Sequence, residues 1–473
     1  MIGGGEMKQT VIGKESKINN TEHNRKEWPG KWLPLAVCLL FYVAMCLIYG
    51  PQLGADSNGY IHMVSAREPV YPLFLKAFRT LFGEADYLYA VAFAQNLLMA
   101  FAVWYLTMYL KQKFTWKEWM TYVMIALHFA VALLCQFAAG RASIYPNSIL
   151  TEGISLSLWL IFIAFLLKAM WEARMRYAVY ALLLAAVMMD LRKQMAVGYI
   201  VLFGTLLFGW IGQKGYFRRM AAVAGMILCS VLLALGGTRL YNYVMRGEFV
   251  QNTRDMNLVL TTSLYIADQE DAALIEDPVV RELFVQVMDI LEEKECNYRF
   301  AKPGWRNLEA HYGAHYDKIT IDTTGPMFIE YAVEQGFAEG LEAEQEADRM
   351  SSVIVRSLLA DNLGTYLRVY LASVGNGLIN SVAKRNALLD WYALGAYLVY
   401  SGLMAVCLLK KETRSAGLFG LTVLISIGVN VGVTAALIFC QTRYMIYNMA
   451  LFYMAGVLML YEWGKRFRGS KEL

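Results

Sequence analysis

Ten apolar runs recur along this chain, most of them long enough to cross a bilayer, and basic residues collect in every second connection between them. A membrane-crossing helix needs about 20 apolar residues at a rise of about 1.5 Å each. Backbone groups in hydrocarbon must also satisfy their own hydrogen bonds. An all-α polytopic membrane protein is therefore the fold class to expect. The runs cover 32–49, 87–110, 119–138, 149–168, 177–191 and 196–210; a seventh ends near 237, and the last three cover 388–409, 418–438 and 445–461. Lys111, Lys113 and Lys117 follow the second run, Lys168, Arg174 and Arg176 the fourth, and Lys214, Arg218 and Arg219 the sixth. Lys410, Lys411 and Arg414 follow the eighth, and Lys465, Arg466 and Arg468 the tenth. Basic loops face the cytoplasm, so both termini are expected inside the cytoplasmic membrane of the cell, with the other connections outside.

Composition agrees. Hydrophobic residues make up 58% of the chain and charged residues 17%, where a soluble domain carries roughly a quarter. The net charge of +4 is small and sorted by position, so nucleic acid is not an expected partner, whereas membrane lipids are. The polar start makes the first run an uncleaved signal anchor. Six of the seven cysteines fall in or beside apolar runs and give no disulfide framework. Tryptophans at run ends, such as Trp119 and Trp210, fit an interfacial belt.

These boundaries divide the chain into a cytoplasmic tail (1–31), a membrane core (32–237), an extracytoplasmic region (238–386), C-terminal membrane helices (387–463) and a second tail (464–473). Region 238–386 holds more than half of the acidic residues and reads as mixed helix and loop. Val279, Leu283, Val287 and Leu291 recur every four residues, which predicts an amphipathic helix, and 340–360 reads as another. Residues 363–382 are apolar but interrupted, and counting them as a span would place Lys410 and Lys411 outside. They are expected to lie on or dip into the outer surface. No internal repeat is visible, which counts against a transporter of repeated halves.

The outward connections hold the candidate chemistry. After the first run comes A-D-S-N-G-Y, then R-E-P-V-Y-P-L-F-L-K-A-F-R-T-L-F. Asp56 is either a functional carboxylate or the cap of a helix beginning near Ser57. Arg67 suits phosphate, which guanidinium binds in a bidentate way. Pro69 and Pro72 restrict the loop, and Tyr71 either stacks on substrate or packs at the interface. Glu152 stands at the outer start of the fourth run, in S-I-L-T-E-G. Arg192 and Lys193 fall on the outside against the usual bias, after a run of only about 15 residues. Ionisable residues at membrane depth tend to mark a site, although an Asp190–Arg192 pair closing the hairpin would account for them too. Arg443 and Tyr444 open the tenth run on the same side. His311 and His315 have i,i+4 spacing but no third ligand, so they read as a solvated loop pair. His128 reads as a packed residue in the third run. No P-loop, dinucleotide glycine pattern or zinc-protease motif occurs.

The loop pattern around Asp56, together with Thr151-Glu152-Gly153, Leu191-Arg192-Lys193 and Arg443-Tyr444, resembles the membrane glycosyltransferases of the GT-C superfamily. That class includes protein O-mannosyltransferases and the aminoarabinose transferase of lipid A. Glycine stands here where the family's acidic motif has proline, and the Arg192 turn lacks the family's proline. The resemblance implies a GT-C-like bundle of about ten transmembrane helices carrying an extracytoplasmic, partly helical insertion. It implies a polyprenyl-phosphate sugar donor and a lipid, glycan or protein acceptor. Asp56 and Glu152 would be catalytic, with Asp56 deprotonating the acceptor during inverting displacement. Arg67, Arg192, Lys193 and Arg443 would hold the donor phosphate, and Tyr71 and Tyr444 would contact substrate. No cofactor and no metal ligands are assigned, and a divalent cation stays open. The competing expectations are a polysaccharide polymerase of the O-antigen or capsule type and a lipid or glycan transporter.

Overall fold

Long apolar stretches free of proline fold here as long helices, and the most enclosed of them carry the site at their ends. The computed structural model describes residues 32–139, 141–384 and 387–469. The tail 1–31, with the basic residues that bear on its orientation, and the last residues 470–473 lie outside that description. Helix α1 (Trp32–Tyr49) leads through a loop with the one-turn α2 (Ser57–Ile61) into α3 (Val70–Phe114). Gly83, with φ of 77°, breaks α3, so the expected amphipathic stretch and the second run are two halves of one kinked element. Next come α4 (Glu118–Leu134), the antiparallel ribbon β1 (Phe137–Ala139) and β2 (Arg141–Ser143), α5 (Glu152–Glu172), α6 (Met175–Leu191), α7 (Val197–Gly209) and α8 (Tyr216–Arg246).

A second helical group follows: α9 (Asp255–Ile266), α10 (Pro278–Glu293), α11 (Trp305–Ile319), α12 (Gly325–Glu334) and α13 (Leu341–Leu358). The chain then returns through α14 (Leu363–Asn380), α15 (Ala387–Leu409), α16 (Arg414–Leu437), the short α17 (Thr442–Met445) and α18 (Met449–Gly469). Among the described residues, seven helical stretches are long and apolar enough to cross a membrane: α1, α3, α5, α8, α15, α16 and 442–465. α4 and α6 have 17 residues each and α7 has 13, which is why the seven fall short of the ten apolar runs. The protein is an all-α polytopic membrane protein. In α5, 78% of the apolar window is buried, against 17% in α8 and in α15. α5 is therefore a central helix, and α8 and α15 turn apolar side chains outward, as lipid-facing helices do.

Helices α9–α13 enclose a core of their own around Leu264, Phe284, Tyr312, Phe328 and Ile354. On α10 the buried stripe runs Val280, Leu283, Phe284, Val287, Met288 and Leu291, the 3.6-residue spacing of an amphipathic helix. Val279 is exposed, one position off the expected stripe, because Asp277 Oδ1 caps the helix through the Val279 and Val280 amides. α14, the expected surface segment, is not among the helices long and apolar enough to cross. It packs into the bundle: Tyr366 donates to the Ala436 carbonyl at 2.9 Å, and Asn376 and Asn380 both donate to Cys440 O. A Cβ on Gly377 would come within 2.8 Å of Val431 and 2.9 Å of Cys440 Sγ, so glycine sets how closely α14 approaches. Asn376, Gly377 and Asn380, among the interruptions in this run, are part of its packing face.

Candidate functional site

Two connections, the one after α1 and the one before α5, are tied into one floor, mainly by backbone pairing. Gln52 N donates to Asn147 O and Ile149 N to Gln52 O, both at 2.8 Å, and Ser57 Oγ reaches Ile149 O at 2.9 Å. Asn147 Nδ2 fastens the same turn to Met45 O and Ser143 Oγ. Gln95, buried in α3, donates to the carbonyls of Pro146 and Ser148 at 2.9 Å each. It lies so close to α5 that a Cβ on Gly153 would stand 2.5 Å from Gln95 Nε2. The glycine in Thr151-Glu152-Gly153 is thus a packing requirement, and it delivers Glu152 to the start of α5 beside the Asp56 loop.

On this floor the charges form a continuous chain. Asp56 Oδ1 accepts from Arg67 Nη2 and Asp56 Oδ2 from Arg443 Nη2, each at 2.8 Å. Arg443 Nε lies 3.5 Å from Glu152 Oε1, and the same oxygen accepts from Arg192 Nη1. Tyr444 stacks beneath both arginines, its ring centre 4.4 Å from the Arg192 guanidinium and 4.9 Å from that of Arg443. Arg67 lies over Tyr60, which meets Tyr71 edge-on at 5.2 Å. Glu152 is 1% exposed, while Asp56 and the Arg67 and Arg443 side chains are about a quarter open. The cluster is enclosed below and reachable from one side.

The sequence-expected residues separate accordingly. Asp56, Arg67, Glu152, Arg192, Arg443 and Tyr444 come together. Asp56 occupies the cap position of α2 but makes no side-chain cap bond, since both carboxylate oxygens go to guanidiniums. Arg192 pairs with Glu152, so the hairpin is not closed by an Asp190–Arg192 pair. Lys193 points elsewhere, to Asp255 on α9 and to Glu68 at 3.7 Å. Tyr71 is fully buried and donates to Gln95 Oε1 at 3.0 Å, which makes it part of the scaffold. His311 and His315 stack on the helix α11, their ring centres 4.1 Å apart, and are not a loop pair. Among the described residues no group of three His, Cys, Asp or Glu is placed to hold a metal ion.

Sequence reasoning missed the second helical group's hold on this loop. Glu344 Oε2 accepts from Ser65 Oγ at 2.5 Å and from Thr253 Oγ1 at 2.6 Å, and Arg246 Nη2 donates to Met63 O. The loop that carries Arg67 is therefore held from α13 and from the end of α8. Gln95 was missed too, though a buried amide within an apolar run is itself a signal. Below the cluster an apolar cavity is lined by Met99, His128, Tyr145, Leu156, Ile446 and Tyr447. Tyr447 bonds Ser155 Oγ at 2.7 Å, one helical turn from Glu152.

The electrostatics favour an anion. Three guanidiniums face two carboxylates, leaving one positive charge over. Burial alone raises Asp56, but Arg443 and Arg67 outweigh it and hold its pKa at about 2. Arg67 Nε and Arg443 Nε are buried and make no hydrogen bond among the described residues. Arg67 Nε packs toward Gly59 and Arg443 Nε toward Glu152, so a tetrahedral oxyanion approaching from the open side would meet the partly exposed outer edges of the two guanidiniums. Phosphate oxygens match guanidinium forks in charge and geometry. Comparison with family models, curated proteins and solved structures finds no match to this chain.

Proposed function

We propose that the protein transfers a sugar from a polyprenyl-phosphate donor to a hydroxyl- or amine-bearing acceptor at the extracytoplasmic face of the membrane. The carrying observation is the cluster of Arg67, Arg192 and Arg443 on Asp56 and Glu152, one positive charge in excess, with the Arg67 and Arg443 side chains about a quarter exposed. In this reading the ten apolar runs form a GT-C-like bundle with both ends cytoplasmic, and 238–386 covers the site from outside.

The donor phosphate takes oxygen contacts on Arg67 and Arg443 and thereby loosens Asp56 from them. The acceptor oxygen or nitrogen attacks the anomeric carbon from the face opposite the phosphate, forming the new glycosidic bond. The bond from anomeric carbon to phosphate oxygen breaks, and its electron pair leaves with the polyprenyl phosphate, which the arginines stabilise. Asp56, free of its guanidiniums at that stage, takes the acceptor's proton. Glu152, buried beneath, keeps Arg192 and Arg443 in register. Lys193 is left to anchor α9 and has no part in the grip. Purified protein incubated with farnesyl-phosphate sugars should release farnesyl phosphate. Binding of these donors without release would favour the transporter reading.

A further inference from the structure

Helix α11 lies across the segment that leads into Arg443. Tyr312 and Tyr316 pack on Phe439, with ring centres 6.2 and 5.2 Å away, and a Cβ on Gly313 would stand 3.1 Å from the Phe439 ring. Asp317 follows Gly313 by four residues and so shares its helix face. The side chain is exposed and makes no hydrogen bond or ion pair among the described residues. The charges that bear on it are those of the cluster, Arg443 and Asp56, together with Asp322 in the turn that follows α11. A carboxylate with no fixed partner thus overlooks a site whose own carboxylates are both engaged.

We propose that Asp317 holds the acceptor's hydroxyl or ammonium group over the arginine cluster, so that acceptors enter beneath α11 and anionic ones are rejected. The assignment rests on the glycosyl-transfer reading. The phosphate side of the site is supplied by arginines from the membrane core, so the donor needs nothing from α11. The acceptor's attacking group gives its proton to Asp56; a second hydroxyl or ammonium group of the acceptor needs a partner of its own, and Asp317 on α11 offers one. A carboxylate there also repels negatively charged acceptors, which the surplus positive charge of the cluster would otherwise attract.

The test uses the full-length protein with farnesyl-phosphate sugars and three acceptors: octyl glucoside, octyl glucosaminide and octyl glucuronide. Wild type should prefer the neutral and amino acceptors to the glucuronide. Asp317→Asn should raise KM for the first two by roughly 10- to 100-fold, the worth of a charge-assisted contact, and weaken the bias against glucuronide. Asp317→Lys should invert the order. Farnesyl phosphate affinity should stay within about twofold in Asp317→Asn, since that contact belongs to the arginines. Unchanged acceptor KM values and unchanged charge preference in Asp317→Asn would overturn the assignment. No farnesyl phosphate release by wild type from any donor would overturn the glycosyl-transfer reading and this assignment with it.

Discussion

Arg443 Nη2 donates to Asp56 Oδ2 at 2.8 Å across 387 residues of chain, joining the loop after α1 to the start of the last membrane helix. Arg67 fills the other oxygen of the same carboxylate. The bond closes the site laterally. It also means that neither residue can be read by its neighbours in sequence alone, since each is held by the far end of the molecule.

Glu152 and Arg192 form the buried member of the network. Breaking a buried pair by removing one partner costs about 3–5 kcal/mol, and the 3.5 Å approach of Arg443 to Glu152 should bring Arg192→Ala toward the low end. Glu152→Gln combined with Arg192→Ala should recover part of the loss, as coupled neighbours do. Asp190→Ala should be nearly neutral. Denaturation in detergent micelles measures all of these. An Asp190→Ala cost equal to that of Arg192→Ala would restore the hairpin pairing that the geometry replaces.

Gly153→Ala puts a methyl group where Gln95 already stands. Overpacking of this kind costs about 1–3 kcal/mol. Adding Gln95→Ala should relieve the crowding but strand the Pro146 and Ser148 carbonyls, so only part of the stability should return. A fully tolerated Gly153→Ala, with unchanged unfolding temperature, would show that α3 and α5 are not in tight contact at the site.

Asp348 gives a pH signature. Burial raises it from 3.8 to about 6, with the charge of Asp255 adding, against the opposing amides of Arg254 and Met256. The folded state therefore binds this proton more tightly than the unfolded chain. Stability should fall as pH rises from about 4 through about 6 and level off above. Asp56 moves the other way: its contribution is complete above about pH 4 and is lost only as pH falls toward about 2. The slope between pH 4 and 6 should thus shrink in Asp348→Asn, as followed by unfolding temperature. An identical slope in the variant would remove Asp348 as its source.

Much of this was legible from the sequence. Apolar runs and basic turns gave the polytopic helical class because bilayer thickness fixes the length of a spanning helix. Asp56, Arg67, Glu152, Arg192 and Arg443 stood out because ionisable groups beside apolar runs are rare without a partner. Which partner each takes was not legible. Arg192 has Asp190 two residues away, yet it bonds Glu152, 40 residues distant, because α6 ends with its backbone extended at Arg192. Lys193 looked like a phosphate ligand because α9, which carries its partner Asp255, lies 62 residues on. That Gly377, Asn376 and Asn380 pack α14 against the segment around Cys440 was not legible, because small and amide residues that pack a helix closely resemble, in sequence, those that break one.

Binding of farnesyl phosphate to the purified protein, with farnesol as the uncharged control, tests the arginine grip most directly. Wild type should bind the phosphate more tightly than the alcohol. Arg443→Gln and Arg67→Gln should each weaken phosphate binding by about 1.5–3 kcal/mol, the worth of one charge-assisted contact, while farnesol binding holds steady. Lys193→Ala should change neither. Equal affinity for farnesyl phosphate in wild type and in a correctly folded Arg443→Gln variant would contradict the phosphate-binding role of the cluster.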